Sequence, residues 1–349
     1  MPRLVAIDRP GGPEFVRELQ SIWDAGDAAF PVDQRLPGHA KAELCTAMRV
    51  GDEVDAGDAL VVATSGSTGT PKGVVLTHEA IVASAAATTK RLGVREDDHW
   101  LACLPLSHVG GLSVVTRSLL SGTRLTVHSG FDADAVMTSG ATLVSLVSTA
   151  LGRIDPSVFR TIVLGGSRPP ADRPANTVTT YGMTETGSGV VYDGRPLDGV
   201  DVDIDPVGEI RLRGPMLLRC YRDGVDPRDR DGWFPTGDLG VWLGDGRLHV
   251  AGRSSDLIIT GGENVWPEAV EAALRTHDAV ADVMVRGVAD DEWGQLVEAI
   301  VVAAPGSEPT LDSLRGHVKE QHPAHMAPKR LRVVDAIPRT ALGKPIRTS

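Results

Sequence analysis

Short apolar runs alternate with longer helical patterns along the first part of the chain. The runs that predict buried strands are at 59–63, 99–107, 123–129, 142–148 and 160–166. Thr77 is placed to cap a helix, HEAIVASAAATTKRLG, which has Glu79 in its first turn and Gly93 at its end. VGGLSVVTRSLLSG resembles the start of another helix, and residues 1–57 read as a helical opening region. This alternation predicts an α/β layered fold.

The pattern changes after residue 190. VDVDIDPVGEIRLRG, DGRLHVAGR and SDLIITGG show strand-like alternation broken by Gly and Pro turns, which predicts an antiparallel β-rich part. From about Arg253, helical and strand patterns mix again, and this predicts a small α+β module. A chain of 349 residues is longer than one core usually spans. We therefore predict a large domain over 1–254 and a small one over 255–349.

Composition narrows the class of protein. Hydrophobic residues make up 42% and charged residues 23%, as in an ordinary globular protein. The net charge of −11 argues against a nucleic-acid partner. No run of about 18 apolar residues predicts a membrane span, and the N-terminus lacks the apolar core of a secretory signal. Three scattered cysteines favour a cytoplasmic protein with unpaired thiols.

Residues 62–78, VATSGSTGTPKGVVLTH, carry the strongest chemical signal. The small and hydroxyl-bearing residues are Thr64, Ser65, Gly66, Ser67, Thr68, Gly69 and Thr70. Their backbone N–H groups can approach phosphate oxygens closely, and Lys72 adds a positive charge. The order is not that of a Walker A loop. A surface linker is the alternative, but the predicted strand and capped helix on either side weigh against it.

This loop resembles the phosphate-loop signature of the adenylate-forming superfamily, which includes acyl-CoA synthetases and peptide-synthetase adenylation domains. Five further blocks follow in that family's order. They are LPLSHVGG (104–111), YGMTETG (181–187), GWFPTGDLG (232–240), GRSSDLIITGGENVWPEAVE (252–271) and PRTALGK (338–344). The resemblance spans about residues 59–349 and implies ATP, Mg²⁺ and coenzyme A.

The resemblance also implies roles in nucleotide binding. In YGMTETG, Tyr181 and Gly182 would face the adenine, Thr184 would lie near the α-phosphate and Glu185 would bind Mg²⁺. A Gly-rich loop with a capping Thr-x-Glu is the alternative. Asp238 and Arg253 would contact the ribose or phosphate, unless they form a solvated ion pair.

In the family, a small mobile C-terminal domain swings between two half-reactions. The hinge position is Ser255, where many relatives have Asp or Lys, so this residue departs from the pattern. Gly261 and Gly262 would pass the pantetheine arm of CoA, or form an ordinary turn. Lys344 would be the catalytic lysine that bridges the substrate carboxylate and the α-phosphate.

His108 would lie at the acyl pocket, with a half-buried structural histidine as the alternative.

The short region before the phosphate loop resembles actinobacterial o-succinylbenzoate–CoA ligases of menaquinone biosynthesis. A substrate with two carboxylates requires a cationic or hydroxyl-rich pocket, for which Ser188, Arg195 and Ser167 are candidates. Other aryl- or fatty-acyl-CoA synthetases, an amino-acid adenylation module and a non-catalytic homologue remain alternatives. The partners are then a small carboxylic acid and CoA, with a homodimer left open.

Overall fold

A computed structural model of the chain describes residues 1–64, 71–166, 169–170, 172–339 and 347. The strands of this described part are β1 (Leu4–Ile7), β2 (Ala28–Pro31), β3 (Asp58–Thr64), β4 (Lys72–Thr77), β5 (His99–Ala102), β6 (Arg124–Val127), β7 (Leu143–Leu146), β8 (Thr161–Leu164), β9 (Thr177–Gly182), β10 (Gly189–Tyr192), β11 (Arg195–Pro196), β12 (Asp201–Ile204), β13 (Glu209–Arg213), β14 (Cys220–Tyr221), β15 (Phe234–Trp242), β16 (Leu248–Arg253), β17 (Ile258–Thr260), β18 (Glu263–Val265), β19 (Val280–Asp290), β20 (Gly294–Ala303) and β21 (Arg330–Val333). The helices are α1 (Pro13–Asp24), α2 (Gly38–Ala47), α3 (His78–Leu92), α4 (Val109–Ser121), α5 (Ala133–Met137), α6 (Ser148–Leu151), α7 (Pro267–Leu274) and α8 (Leu311–Gln321).

Two compact units divide the described chain. Unit 1 comprises residues 1–203, 211–235 and 242–248, and unit 2 comprises 204–210, 236–241 and 249–349. The strands β12, β13, β15 and β16 form a further sheet, in that order. The predicted domain boundary between residues 254 and 255 stays a prediction.

Unit 1 contains two larger sheets. One has the strand order β1-β2-β3-β4-β14, and the other has the order β11-β10-β9-β8-β7-β5-β6. The second is parallel from β6 through β9, as expected of fully buried apolar strands covered by helices. Helix α3 contacts β4 of the first sheet, β10 of the second and helix α4. The predicted α/β layered fold is confirmed.

The helix predicted after Thr77 forms as its sequence indicates. The Thr77 hydroxyl accepts a hydrogen bond from the Ala80 N–H (3.1 Å). Gly93 ends α3 in the left-handed conformation, where a side chain would be strained. Ala80, Ile81 and Ala85 lie on the buried face of helix α3.

Three predictions of local structure need correction. The opening region is not simply helical, because LVAI and AAFP form the parallel strands β1 and β2 beside α1 and α2. The strand predicted over 99–107 ends at Ala102. KGVVLT, to which the sequence analysis assigned neither strand nor helix, forms strand β4 and pairs antiparallel with β3. The phosphate loop therefore connects two strands and does not lead into a helix.

The C-terminal part of unit 2 is the predicted small α+β module. Its sheet has the order β18-β17-β20-β19, with β21 also paired to β20. Helices α7 and α8 contact each other. Their residues Val270, Leu274, Leu314 and Val318 are fully buried in the core of this module. Among the described residues, no helix combines the length and apolar composition needed to span a bilayer.

Candidate active site

The ends of the phosphate loop are fixed by the β3–β4 pair. Thr64 and Lys72 are register partners, and the Thr64 hydroxyl donates to the Lys72 carbonyl oxygen (3.5 Å). Lys72 is exposed at the start of β4. The predicted phosphate contacts from Ser65 to Gly69 lie outside the described residues. The structure therefore presents Lys72 at the exit of the loop, as the sequence predicted, but on a strand.

The motif YGMTETG joins the end of β9 to a 3₁₀ turn over Thr184–Thr186. The turn is organised by the buried hydroxyl of Thr186, which accepts from the Met183 N–H (2.9 Å) and donates to the Ser188 carbonyl (2.6 Å). Thr186, and not the glutamate of a Thr-x-Glu cap, makes the capping bonds. Tyr181, Thr184 and Glu185 are half-buried around this turn.

Gly182 is required at the end of β9 because the chain turns back closely on itself. A Cβ on this residue would lie 2.2 Å from the Ser188 carbonyl oxygen and 2.7 Å from the Gly189 Cα. Both contacts are far inside van der Waals distance, and neither backbone segment can move without breaking the β9–β10 pair. The glycine thus holds Glu185 and its turn against β10.

The structure brings the loop lysine and the predicted metal ligand to one tyrosine. The Lys72 ammonium lies 4.9 Å from the centroid of the Tyr221 ring, within cation–π range. The Tyr221 hydroxyl donates to Glu185 Oε1 (3.1 Å). Sequence reasoning missed Tyr221, because nothing in CYRDG distinguishes it from any other half-buried tyrosine.

A buried arginine lies beside the same turn. Arg117 on α4 is 2% exposed, and its Nη2 donates to the Ser188 hydroxyl (3.1 Å). Its Nε and Nη1 have no hydrogen-bond partner in the described part of the chain. The guanidinium lies 4.9 Å from the Trp100 ring, and burial lowers the pKa of Arg117. Burying a cation with two unpaired donors is costly, so the arrangement favours an anionic guest.

This guanidinium lines an apolar pocket within unit 1. The pocket is walled by α3 and α4, with Leu76, Ala80 and Leu112 on its sides and Gly187 at the edge nearest the Glu185 turn. The space that it encloses in this structure is about that of one water molecule. Its other wall residues are aliphatic or carry hydroxyl groups, so Arg117 is the one charged residue that a bound molecule would meet there.

Of the three residues predicted for the acyl pocket, Ser188 lies beside Arg117. Arg195 instead lies exposed at β11, where its Nη2 donates to the Asp245 carbonyl (3.4 Å). Ser167 lies outside the described residues. Arg117 was missed because on a helical pattern one arginine among apolar residues resembles part of a solvated face.

Unit 2 holds a second cluster built by Asp238 and Arg253. Arg253 Nε lies 3.0 Å from Asp238 Oδ1, and Arg253 Nη1 donates to the Thr236 carbonyl (2.7 Å). Gly237 has a φ of +72°, and its N–H donates to Glu209 Oε1 (2.8 Å). The Asp238 side chain is only 9% exposed. The carboxylate of the ion pair is therefore buried at strand β15, while the Arg253 side chain is 41% exposed to solvent.

Three other predicted residues belong to unit 2. Ser255 is exposed in a 3₁₀ turn over Ser254–Asp256, and its hydroxyl donates to Asp256 Oδ1 (3.4 Å). Gly261 and Gly262 have positive φ angles of 61° and 83°. A Cβ on Gly261 would lie 2.8 Å from the Trp293 ring. Lys344 lies outside the described residues.

Comparison with known proteins decides the family. The model of the AMP-binding enzyme family matches residues 47–222, and that of the AMP-binding enzyme C-terminal domain matches 269–344. A probable 2-succinylbenzoate–CoA ligase of Mycobacterium tuberculosis is 42% identical over 97% of this chain and 95% of its own length. The chain belongs to the AMP-binding enzyme family.

Further relatives of this AMP-binding enzyme agree. A 2-succinylbenzoate–CoA ligase of Bacillus anthracis is 36% identical, covering 82% of this chain and 68% of its own. The structure of o-succinylbenzoate CoA synthetase (MenE) from Bacillus subtilis, in complex with the acyl-adenylate intermediate OSB-AMP, superposes with a TM-score of 0.90. It is 28% identical and covers 99% of this chain and 87% of that one. The same synthetase with ATP and magnesium ion gives a TM-score of 0.86 at 28% identity.

Magnesium fits the protein groups near Lys72. Mg²⁺ is usually held by one or two carboxylates together with substrate phosphates and water, and not by an all-protein cage. Glu185 offers one half-buried carboxylate, and the described residues contain no cluster of three or more metal-binding side chains. A single half-buried carboxylate, bonded to the tyrosine that Lys72 contacts, is therefore compatible with this ion.

His108 precedes α4 and is fixed by a charged pair. Arg35 Nη2 lies 2.9 Å from His108 Nε2, and Arg35 also makes two bonds to Asp33. An arginine cannot accept a hydrogen bond, so His108 Nε2 is the acceptor and the ring is neutral. Burial, and then the charge of Arg35, lower the pKa of His108, while Asp33 opposes them.

We expect this lowered pKa to make the folded protein less stable in mild acid. As the pH falls through the ordinary histidine value of 6.5, the unfolded chain takes up a proton that folded His108 does not. The loss of unfolding free energy between about pH 7.5 and 5.5 should therefore be smaller in His108→Gln than in the wild type. Urea unfolding at both pH values measures this, with exposed His39→Gln as the matched control. An equal loss in His108→Gln and the wild type would contradict it.

Proposed function

We propose that this AMP-binding enzyme joins 2-succinylbenzoate to coenzyme A and is an AMP-forming acid–thiol ligase. In the first step a substrate carboxylate oxygen attacks the α-phosphorus of ATP, and the bond to pyrophosphate breaks. In the second step the CoA thiolate attacks the acyl carbon, and AMP leaves. Two relatives named 2-succinylbenzoate–CoA ligase, at 42% and 36% identity, support this proposal.

The observation that carries the choice of acid is the buried Arg117 guanidinium. 2-Succinylbenzoate has two carboxylates, of which one reacts and the other keeps its charge. The pocket is lined by Arg117 and mainly aliphatic residues, and Arg117 also bonds to the Ser188 hydroxyl. In chemical type these groups match a hydrophobic body with one remaining anion. A carboxylate that pairs with Arg117 through Nη2 and one neighbouring nitrogen would also satisfy one of the two donors that the protein leaves unpaired.

The remaining residues divide the work of binding and chemistry. The loop from Thr64 to Gly69, with Lys72, would hold phosphate oxygens, while Tyr181 and Gly182 would face the adenine. Thr184 would lie at the α-phosphate, and Asp238 with Arg253 would hold the ribose. Glu185 would hold Mg²⁺, which when bound offsets the charge of the triphosphate.

Lys344 would stabilise the charge that develops at the α-phosphate in the first step. His108, as a neutral ring, would orient the reacting carboxylate. In the second step Gly261 and Gly262 would leave room for the pantetheine arm. A swing of the small domain about Ser255 would exchange these two arrangements.

The alternative substrates match the charge of this pocket less well. A fatty acid would place an uncharged chain against the buried Arg117, which would keep its unpaired donors. An amino acid would bring its ammonium group into a pocket whose one charged wall residue is a cation. We further propose that the enzyme acts in menaquinone biosynthesis in the cytoplasm.

The test is AMP release with ATP, Mg²⁺ and CoA. We expect strong release that requires both 2-succinylbenzoate and CoA, and little with benzoate, a medium-chain fatty acid or no acid. Preferred use of benzoate or the fatty acid would overturn the substrate but keep the ligase chemistry. No release with any acid would overturn both.

A further inference from the structure

Tyr221 stands between the two oppositely charged groups of the phosphate-binding region. Its ring meets the Lys72 ammonium at 4.9 Å, and its hydroxyl donates to Glu185 Oε1 at 3.1 Å. No ion pair within 4.0 Å joins Lys72 to Glu185 in the described part of the chain. One aromatic side chain therefore contacts both groups.

The backbone around Tyr221 is bonded to both motifs. Strand β14 pairs with β4, so that Tyr221 is the register partner of Val74, two residues after Lys72. On the other side, the Leu218 N–H donates to the Glu185 carbonyl (2.7 Å). The segment from Leu218 to Tyr221 thus ties the strand after the phosphate loop to the turn that carries Glu185.

The segment that carries Tyr221 packs closely against β4. The Arg222 N–H donates to the Gly73 carbonyl (2.7 Å). A Cβ on Gly73 would lie 2.9 Å from the Arg222 Cβ and 2.8 Å from the Met48 sulfur. The glycine after Lys72 therefore allows the segment to approach β4 closely enough for the Tyr221 ring to meet the lysine.

We propose that Tyr221 is a positioning residue that prepares Glu185 for Mg²⁺ and Lys72 for phosphate. This inference rests on the proposed assignment of Glu185 to Mg²⁺. A carboxylate and an ammonium that are free to approach would form an ion pair, which would withdraw both from the metal–nucleotide complex. The ring blocks that approach, and the hydroxyl fixes one carboxylate oxygen so that the carboxylate keeps the orientation for metal binding.

The two functions of the side chain can be separated by substitution. Tyr221→Phe keeps the ring against Lys72 and removes only the bond to Glu185. Tyr221→Ala removes both, and lets Lys72 and Glu185 approach each other. Tyr192→Phe is the matched control, because Tyr192 is a buried tyrosine whose hydroxyl bonds to Thr88 Oγ1 (3.3 Å).

The measurement is direct binding, not turnover. Mn²⁺ replaces Mg²⁺ and is titrated by electron paramagnetic resonance in the presence of a non-hydrolysable ATP analogue, with no acid or CoA. We expect Tyr221→Phe to weaken Mn²⁺ binding by about 10-fold or more. Its affinity for the nucleotide without metal should stay near that of the wild type and of Tyr192→Phe. Tyr221→Ala should weaken both affinities.

Four outcomes would overturn the inference. Mn²⁺ affinity unchanged in Tyr221→Phe excludes the orienting bond, and metal-free nucleotide affinity unchanged in Tyr221→Ala excludes the separating ring. A Tyr221→Phe effect that persists in full in a Glu185→Gln background shows that it does not act through Glu185. If the wild type binds no Mn²⁺–nucleotide, the assignment of Glu185 fails together with the inference. Preference for another acid leaves the inference intact, because no acid is present.

Discussion

Replacing Arg117 by methionine is expected to abolish efficient use of 2-succinylbenzoate while leaving the protein at least as stable as before. Truncating one partner of a buried charge pair costs about 2–5 kcal/mol in binding, so kcat/KM should fall by about 30-fold to 1,000-fold or more. The free protein behaves oppositely. Its Arg117 has two unpaired donors at 2% exposure, and an apolar side chain of similar length removes that penalty.

This pair of opposite effects separates binding from structure. The measurements are kcat/KM for 2-succinylbenzoate and the midpoint of thermal unfolding, compared with exposed Arg17→Met. Arg117→Lys keeps the charge but not the planar fork of donors, so it should recover only part of the activity. A large fall in unfolding temperature for Arg117→Met would instead mean that Arg117 is structural, and that the activity loss carries no information about the substrate.

Lys344→Ala is expected to remove acyl-adenylate formation and spare thioester formation. A positioned cation at a developing phosphate charge contributes about 10²–10³-fold to the rate, so pyrophosphate exchange that depends on the acid should fall by about that factor. Release of AMP from a supplied acyl-adenylate by CoA should remain close to that of the wild type, because the α-phosphate bond is already made. Exposed Lys319→Ala on α8 is the matched control. Equal loss of both half-reactions would contradict a role limited to the first step.

The sequence predicted those elements whose pattern is local. Helix α3 was located from its Thr77 cap and Gly93 end, because both signals lie within one turn of its termini. The strands β1, β2 and β4 were missed. Each has four to six residues with little alternation, and a short apolar run of that kind does not separate strand from helix. Their pairing partners, which lie elsewhere in the chain, decide the matter.

The site divides in the same way. Glu185 and Lys72 could be predicted because each lies in a compact motif whose chemistry can be inferred from its neighbours in sequence. Arg117 and Tyr221 were not, because their meaning depends on contacts across 71 and 36 residues, with Ser188 and Glu185 respectively. Burial of a single arginine or tyrosine is a tertiary property, and a one-dimensional pattern does not carry it.

The β3–β4 pair affects which changes in amino-acid sequence this protein can tolerate. Its two strands are held by their own ladder, from Leu60 with Leu76 to Thr64 with Lys72, and by apolar residues such as Val61 and Val75 that are already buried. Substitutions between Thr64 and Lys72 should therefore change nucleotide binding more than the free energy of unfolding, because the two strands that flank the loop are secured by their own pairing and burial.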